Sequence, residues 1–323
     1  MLTVYSGKLG YLRKEDSDGE LPADLIWLDL LNPKPDEKAR VEKALGIEVP
    51  TREDMEEIEV SSRLYHEDGG AFMTATLLSN TDTEKPESHP VTFILSGERL
   101  VTVRFSEPRS FISFVNRALR PSSGCTSADA VVLGLLEAVV DRMADVLERV
   151  GREIDAISHD VFEPAGTPVN KARDFQDVLK RIGRKGDLNS KTRESLLSIG
   201  RLIAFLTQIS SRRSLDQDMR SRVETINRDT HSLTDHATFL ANKINFLLDA
   251  TLGMINIEQN AIIKTFSVAA VVFLPPPLIA SIYGKNFEFM PELDWLLGYP
   301  FAVALMVGSA LFPLWFFRRR GWL

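Results

Sequence analysis

Two stretches near the C-terminus carry no formal charge, and they constrain this chain more than anything else in it. The first is the run of twenty residues between Lys264 and Lys285, TFSVAAVVFLPPPLIASIYG. The second, between Asp294 and Arg318, is WLLGYPFAVALMVGSALFPLWFF. At about 1.5 Å rise per residue, twenty helical residues reach roughly 30 Å, the thickness of a bilayer's hydrocarbon core. A pair of buried core helices needs neither such length nor two such runs in succession. Tyr283, Trp295, Tyr299 and Trp315 stand near the ends, where amphipathic rings favour the interface. The sequence therefore reads as an integral membrane protein with two closely spaced spans behind a large water-exposed part.

Basic residues give the orientation. Lys264 opens the first run and Arg318, Arg319 and Arg320 close the second, whereas the loop between carries Lys285 against Glu288, Glu292 and Asp294. The positive-inside rule places the loop outside and both ends in the cytosol. The expected location is the cell (inner) membrane, multi-pass, with N- and C-termini cytoplasmic. The N-terminal MLTVYSGKLG has no basic stretch leading into an apolar core, so it does not read as a secretory signal. The lone Cys125 permits no intrachain disulfide, which fits a reducing compartment. Average composition hides this design: 44% hydrophobic, 26% charged and a net charge of −7 over 323 residues would suit a soluble protein.

Upstream, the pattern is mixed α/β to about residue 125. Strand-like runs LTVYS, DLIWLDLL, AFMTATLLS, VTFILS and RLVTVRF recur, with helices over EKARVEKALG and RSFISFVNRALR, the latter stopped by Pro121. The acidic EDMEEIE at 53–59 reads as a solvated face rather than a cation site. From 126 to 214 the apolar spacing turns to three and four, giving a helical hairpin region whose halves are separated by Pro164, Gly166 and Pro168. A third helical run starts near Leu215 and meets no glycine–proline break before the first span. The simplest reading is one helix over 215–284, on the order of 100 Å long, containing a span at about 262–284. The loop then covers 285–298, the second span 299–317 and a basic tail 318–323. The expected fold class is an α/β cytosolic domain with long helices leading into two C-terminal transmembrane helices.

Chemistry of the enzymatic kind finds no support. There is no phosphate-cradling glycine loop, nucleophile elbow or zinc spacing, and His231 and His236, five apart, do not share a helix face. The acidic balance argues against nucleic-acid binding. No organic cofactor is expected. What remains is the membrane pair, and two helices alone cannot enclose a polar path. Stepping by three and four from Asn260 gives Ile263, Ser267, Ala270, Leu274, Pro277 and Ser281. Such a stripe suits the wall of a narrow pore for a hydrated ion, with Ile263 and Leu274 as dewetting constrictions. It suits ordinary membrane helix packing equally well.

The loop supplies the deciding motif, IYGKNFEFMPELDWLLGYP. It resembles the CorA family of magnesium and cobalt transporters, whose signature is Tyr-Gly-Met-Asn followed by a phenylalanine and Met-Pro-Glu-Leu. Tyr283, Gly284, Asn286, Phe287, Met290, Pro291, Glu292 and Leu293 match, and the stretch INIEQNAIIKTFSVAAVVFLPP and the ending in Trp322 and Leu323 look like the family too. The resemblance covers essentially the whole chain. It implies a homopentamer in the lipid bilayer with a funnel-shaped cytosolic domain, moving divalent cations passively inward: magnesium above all, cobalt and nickel besides. Magnesium would be both substrate and regulatory ligand, its cytosolic form holding the channel shut. By position, Gly284 and Asn286 would form the outer mouth and hold a hydrated ion. Asn260, Ile263, Phe266, Ala270, Leu274, Pro277 and Ser281 would line the path. Asp216, Asp218 and Asp229 are candidates for regulatory ligands, with a solvated helix face as the alternative.

Two departures stand out. Lys285 replaces the signature methionine, where the zinc-transporting ZntB branch has an aliphatic residue, and Pro277 stands where many relatives have threonine. Two unit charges 8 Å apart repel by roughly 2 kcal/mol at an effective dielectric of 20, so a ring of lysines would oppose cation capture. Against that, each loop sums to −2, one lysine against three carboxylates. Two other functions thus stay open: a divergent member of low transport or altered selectivity, zinc for example, and a membrane-anchored scaffold that transports nothing.

Overall fold

The computed structural model describes all residues except 8, 9, 17, 18, 20, 122, 163–167, 214, 215, 286–289, 292–294 and 323, and no side chains at 60, 168–174 or 210–213. It divides into two compact units, one of 1–167 with 176–248, the other of 168–175 with 249–323.

The first unit is built on a seven-stranded sheet of order β2-β1-β3-β7-β6-β5-β4. Its strands are β1 (Leu2–Ser6), β2 (Arg13–Glu15), β3 (Leu25–Leu31), β4 (Leu64–Glu67), β5 (Gly70–Ser79), β6 (Glu87–Ser96) and β7 (Arg99–Arg104). β3 and β7 run parallel and every other pairing is antiparallel. Alternation along the five longer strands buries both faces, whereas β2 and β4 at the sheet edges have no buried residue. Trp27, Met73, Phe93 and Leu100 point to one side, beneath α4 (Arg109–Ala118), α5 (Ala128–Phe162) and α6 (Pro168–Arg213). Leu28, Phe72, Ile94 and Val101 point to the other, against Val41 of α1 (Pro35–Leu45) and Met55 of α2 (Arg52–Glu56). The short α3 (Val60–Arg63) leads into β4.

The acidic run at 53–59 splits. Met55 is buried, Asp54 closes the cap of α2 by accepting from the Thr51 amide at 2.8 Å, and Glu53, Glu56, Glu57 and Glu59 are exposed. β2 and β4 were not expected, because RKE and LYHE carry no alternating apolar pattern.

Polar groups fasten the long helices to the sheet. β4 pairs with β5 no further than Met73, so at Thr76, which has β6 on its other side, this edge of β5 has no strand beside it. Ser198 Oγ accepts from the Thr76 amide at 2.9 Å and Ser195 Oγ donates to the Thr76 carbonyl at 2.7 Å, so α6 covers an edge that would otherwise be unpaired. Asp82, in the turn after β5, is gripped by Arg109 of α4 and by Arg142 and Arg149 of α5.

The third long helix, α7 (Gln217–Phe273), carries a seam at Val223, Ile226, Thr230, Leu233, Ala237, Leu240, Ile244 and Leu247. Steps alternating three and four are those of knobs-into-holes packing. The helix does not run unbroken to Gly284 as the sequence suggested. α7 ends at Phe273 and α8 spans Pro275–Tyr283. Pro275, Pro276 and Pro277 have no N–H, so the carbonyls of Val271, Val272 and Phe273 lose the amide four residues on. Leu274 keeps helical dihedrals (φ −73°, ψ −43°) and its amide still reaches Ala270 O at 2.9 Å. The ladder is therefore interrupted while the helical course continues. The last helix, α9 (Gly298–Arg319), begins three residues inside the second uncharged run and continues two residues past its end.

Candidate functional site

The second unit contains the apolar helices. The helical stretches Gln217–Tyr283 and Gly298–Arg319 each hold a window of mean hydropathy 1.8, of which only 11% and 6% respectively is buried. Apolar helices left open in this way belong in lipid or against further copies of the chain, since water would penalise so much bare hydrocarbon. Both are helical because a bilayer core offers nothing to satisfy a free backbone amide.

Of the first span, Val268 and Val272 are buried, while Ala269, Pro275, Pro276, Ile279 and Tyr283 are half-covered; α8 packs along α9. The residues singled out from sequence lie on the open side. Asn260, Ala270, Pro277 and Ser281 are exposed, as are Ile263, Phe266 and Leu274 at 61%, 72% and 68%. The chain thus brings these seven onto an uncovered wall, and among the described residues of one chain nothing faces them across a path. Other open positions, such as Val271 and Ile282, leave room on the same helix for lipid.

At the end of α8 the backbone turns tightly. The Gly284 amide donates to Ala280 O at 2.9 Å and the Lys285 amide to Ile282 O at 3.3 Å. A Cβ on Gly284 would lie 3.1 Å from Ala280 O, so glycine fits this close approach better than any larger residue. Tyr283 is half-covered and Lys285 is exposed. Asn286, Glu288, Glu292 and Asp294 lie outside the described residues.

The candidate regulatory carboxylates are exposed. Asp216 accepts from the Met219 amide at 2.8 Å and so caps α7, while Asp218 and Asp229 face outward. Among the described residues no three His, Cys, Asp or Glu side chains gather as a metal would require. Two further centres escaped the sequence reading. Burial opposes ionisation of Asp82, yet the hydrogen bonds from Arg149 and Arg142 outweigh it and hold the carboxyl below its ordinary pKa. Asp141 shifts the other way, raised by burial with Arg117 opposing. Neither was legible, because the partners come from distant elements. The second centre is the C-terminal end of α9. Gly321 has φ +70°, the Gly321 amide donates to Arg318 O at 3.2 Å, and the Trp322 amide donates to Phe317 O at 3.0 Å. That pair of bonds is a Schellman cap, and it folds Trp322 onto Phe317 with ring centroids 5.2 Å apart. Here a signal did exist: glycine followed by a large apolar residue, two positions after the last helical residue.

Comparison with known proteins agrees over the full length. The family described as "CorA-like Mg2+ transporter protein" matches residues 22–319. The chain is 35% identical over 316 residues to the magnesium transport protein CorA of Pectobacterium atrosepticum, covering 98% of this chain and 97% of that one. It is 34% identical over 311 residues to the magnesium transport protein CorA of Escherichia coli K12, covering 96% of each. The fold matches the complete structure of the CorA magnesium transporter from Methanocaldococcus jannaschii with a TM-score of 0.76, over 100% of this chain and 99% of that one, at 18% identity.

Proposed function

This chain belongs to the CorA-like Mg2+ transporter family, and on that premise we propose that it carries magnesium across a membrane as a homopentameric channel. Transport runs inward down the electrochemical gradient without ATP, admits cobalt and nickel as well, and is closed by cytosolic magnesium. Five copies bring the first span together around one axis. Asn260, Ile263, Phe266, Ala270, Leu274, Pro277 and Ser281 then line the path, and Tyr283, Gly284, Lys285 and Asn286 form its outer mouth. The carboxylates Glu288, Glu292 and Asp294 draw cations toward it.

The chemistry suits the ion. Magnesium gives up its inner waters reluctantly, so amide and carbonyl oxygens that contact bound water cost less than oxygens that must displace it. Asn286 and the Gly284 carbonyl supply such oxygens. The carbonyls freed by the three prolines add a second polar level, and Ile263 and Leu274 provide apolar levels where a wetted column breaks. The observation that carries this reading is the exposure of the seven-residue wall along one chain. The basic residues at the span ends support termini in the cytoplasm with the loop outside.

Flux through purified protein tests the proposal. Proteoliposomes loaded with a magnesium-sensitive dye should take up magnesium, and more slowly when magnesium is already inside. No flux of magnesium, cobalt or nickel would favour the scaffold reading instead. Exposure of Lys285 beside the mouth supports a second reading of altered selectivity, in which zinc passes and magnesium does not.

A further inference from the structure

The end of α9 is a built cationic platform. The Schellman cap turns Trp322 back onto Phe317, and Trp322 in turn lies beneath Lys264 of α7, whose Nζ is 5.8 Å from the indole centre. Arg319 lies over Trp315 at 5.5 Å and Arg320 over Phe316 at 5.1 Å. These aromatic faces hold the cations by the ring quadrupole, at defined places, without neutralising them. Lys264, Arg318, Arg319 and Arg320 are all exposed. Residues 295–323 contain no Asp or Glu at all, and the nearest acidic residue on α7 is Glu258, six positions before Lys264. The surrounding surface is apolar, with Phe312, Trp315 and Trp322 open. A patch of four cations bordered by bare aromatic rings needs a partner that is anionic at one end and hydrocarbon at the other.

We propose that this platform binds the phosphate headgroup of an anionic phospholipid, with Lys264 and Arg318–Arg320 on the phosphate and Phe312, Trp315 and Trp322 along the acyl chains. The inference rests on the spanning reading of α7 and α9 but not on transport. The fixed rings distinguish the site from diffuse attraction to a charged surface, because removing Trp322 leaves every charge in place yet releases Lys264. A soluble anion would leave the apolar half of the patch bare.

The test uses the full-length protein in detergent, with thermal unfolding followed as lipid is added. Phosphatidylglycerol should raise the midpoint in a saturable way, and phosphatidylcholine with the same acyl chains should not. Each basic residue near an anionic surface contributes about fivefold in affinity. The variant R318Q/R319Q/R320Q should therefore need on the order of a hundredfold more phosphatidylglycerol for half-saturation. Trp322→Ala should need severalfold more, and it keeps the question answerable if the triple variant does not fold. Equal shifts from phosphatidylcholine, an equal shift from inorganic phosphate, or unchanged half-saturation in both variants would overturn the proposal. A chain that binds phosphatidylglycerol while carrying no magnesium upholds this inference and removes the transport reading. One that carries magnesium with no lipid preference does the reverse.

Discussion

Asp29 and Arg104 meet across the parallel pair of strands as a buried ion pair, so a substitution at either removes a counter-charge that water cannot replace. Their side chains are 5% and 10% exposed. Asp29 accepts from Arg104 Nη2 at 2.7 Å and from Thr102 Oγ1 at 2.7 Å, and Trp27 Nε1 donates to that same hydroxyl at 2.9 Å. The guanidinium also lies 4.9 Å from the Phe111 ring centre. Asp29→Asn leaves a buried cation without its counter-charge, a loss of about 3–5 kcal/mol. The thermal midpoint of the purified chain should drop by several degrees. A drop no larger than that of an exposed change such as Glu53→Gln would show the pair to be dispensable. Burial and the Asp29 charge together push the Tyr5 hydroxyl up to about 12, with Arg104 pulling the other way. Asp82 gives a pH prediction. Its folded pKa lies below the ordinary value of about 3.9, so its grip on Arg109, Arg142 and Arg149 stabilises the fold fully above that value and is lost as pH falls through the depressed one. Asp82→Asn should flatten the stability profile below about pH 4 while lowering stability at pH 7, measured by urea midpoints across pH. At the proposed mouth, Lys285→Met should raise magnesium flux, because an ammonium 8 Å from a unit positive charge repels it by roughly 2 kcal/mol at an effective dielectric of 20. Unchanged flux would mean the ammonium groups are turned away or paired. Lys285 and its signature were legible because the motif is contiguous. The Asp29 pair was not, because 75 residues separate its members and only strand register joins them.

At the scale of elements, packing decides where the helices may touch. α4 lies so close to α5 that a Cβ on Gly134 would come within 2.5 Å of the Phe114 ring, which is itself buried among Trp27 and its neighbours. Gly134→Ala should cost about 1–3 kcal/mol, since an overpacked core must shift or strain. Gly183, on the exposed side of α6, has nothing within 4 Å, and Gly183→Ala should stabilise by up to about 1 kcal/mol through helix propensity alone. Opposite signs in denaturant midpoints check both at once; two destabilisations of equal size would refute the packing account. The long helices and the five apolar strands were legible because each carries a regular period over many residues. β2 and β4 were not, since three or four polar residues pair only where a neighbouring strand invites them. The interruption at Leu274 follows from the three prolines, whose missing donors are written in the sequence, but their failure to turn the chain depends on Leu274 keeping helical dihedrals.

For the molecule as a whole, the question is what covers the open wall of α7 and α8. Hydrocarbon from lipid would satisfy Ile263, Phe266 and Leu274, yet it would leave Asn260 and the carbonyls freed by the prolines without polar company. A shared axis would satisfy both, because the apolar positions would meet each other while Asn260 would meet water and ion. Copies of 36.2 kDa assembled five-fold have a protein mass of about 181 kDa, five times the chain mass, which light scattering on detergent-solubilised protein should return. Mass alone does not place the wall, so the decisive substitution is Leu274→Ser. If Leu274 closes a dewetted constriction, a hydroxyl there lets water persist, and magnesium flux at a fixed gradient should rise severalfold even with magnesium on the cytosolic side. If Leu274 faces lipid, the same change leaves flux alone and costs only a modest loss of insertion energy, since serine satisfies its own helix. The pattern in which Leu274→Ser opens the path while Ile282→Ser, about 80° further round the helix among the open positions left for lipid, does not would assign the wall to the axis. The reverse pattern would turn the helix around and remove the pore assignment of all seven residues together.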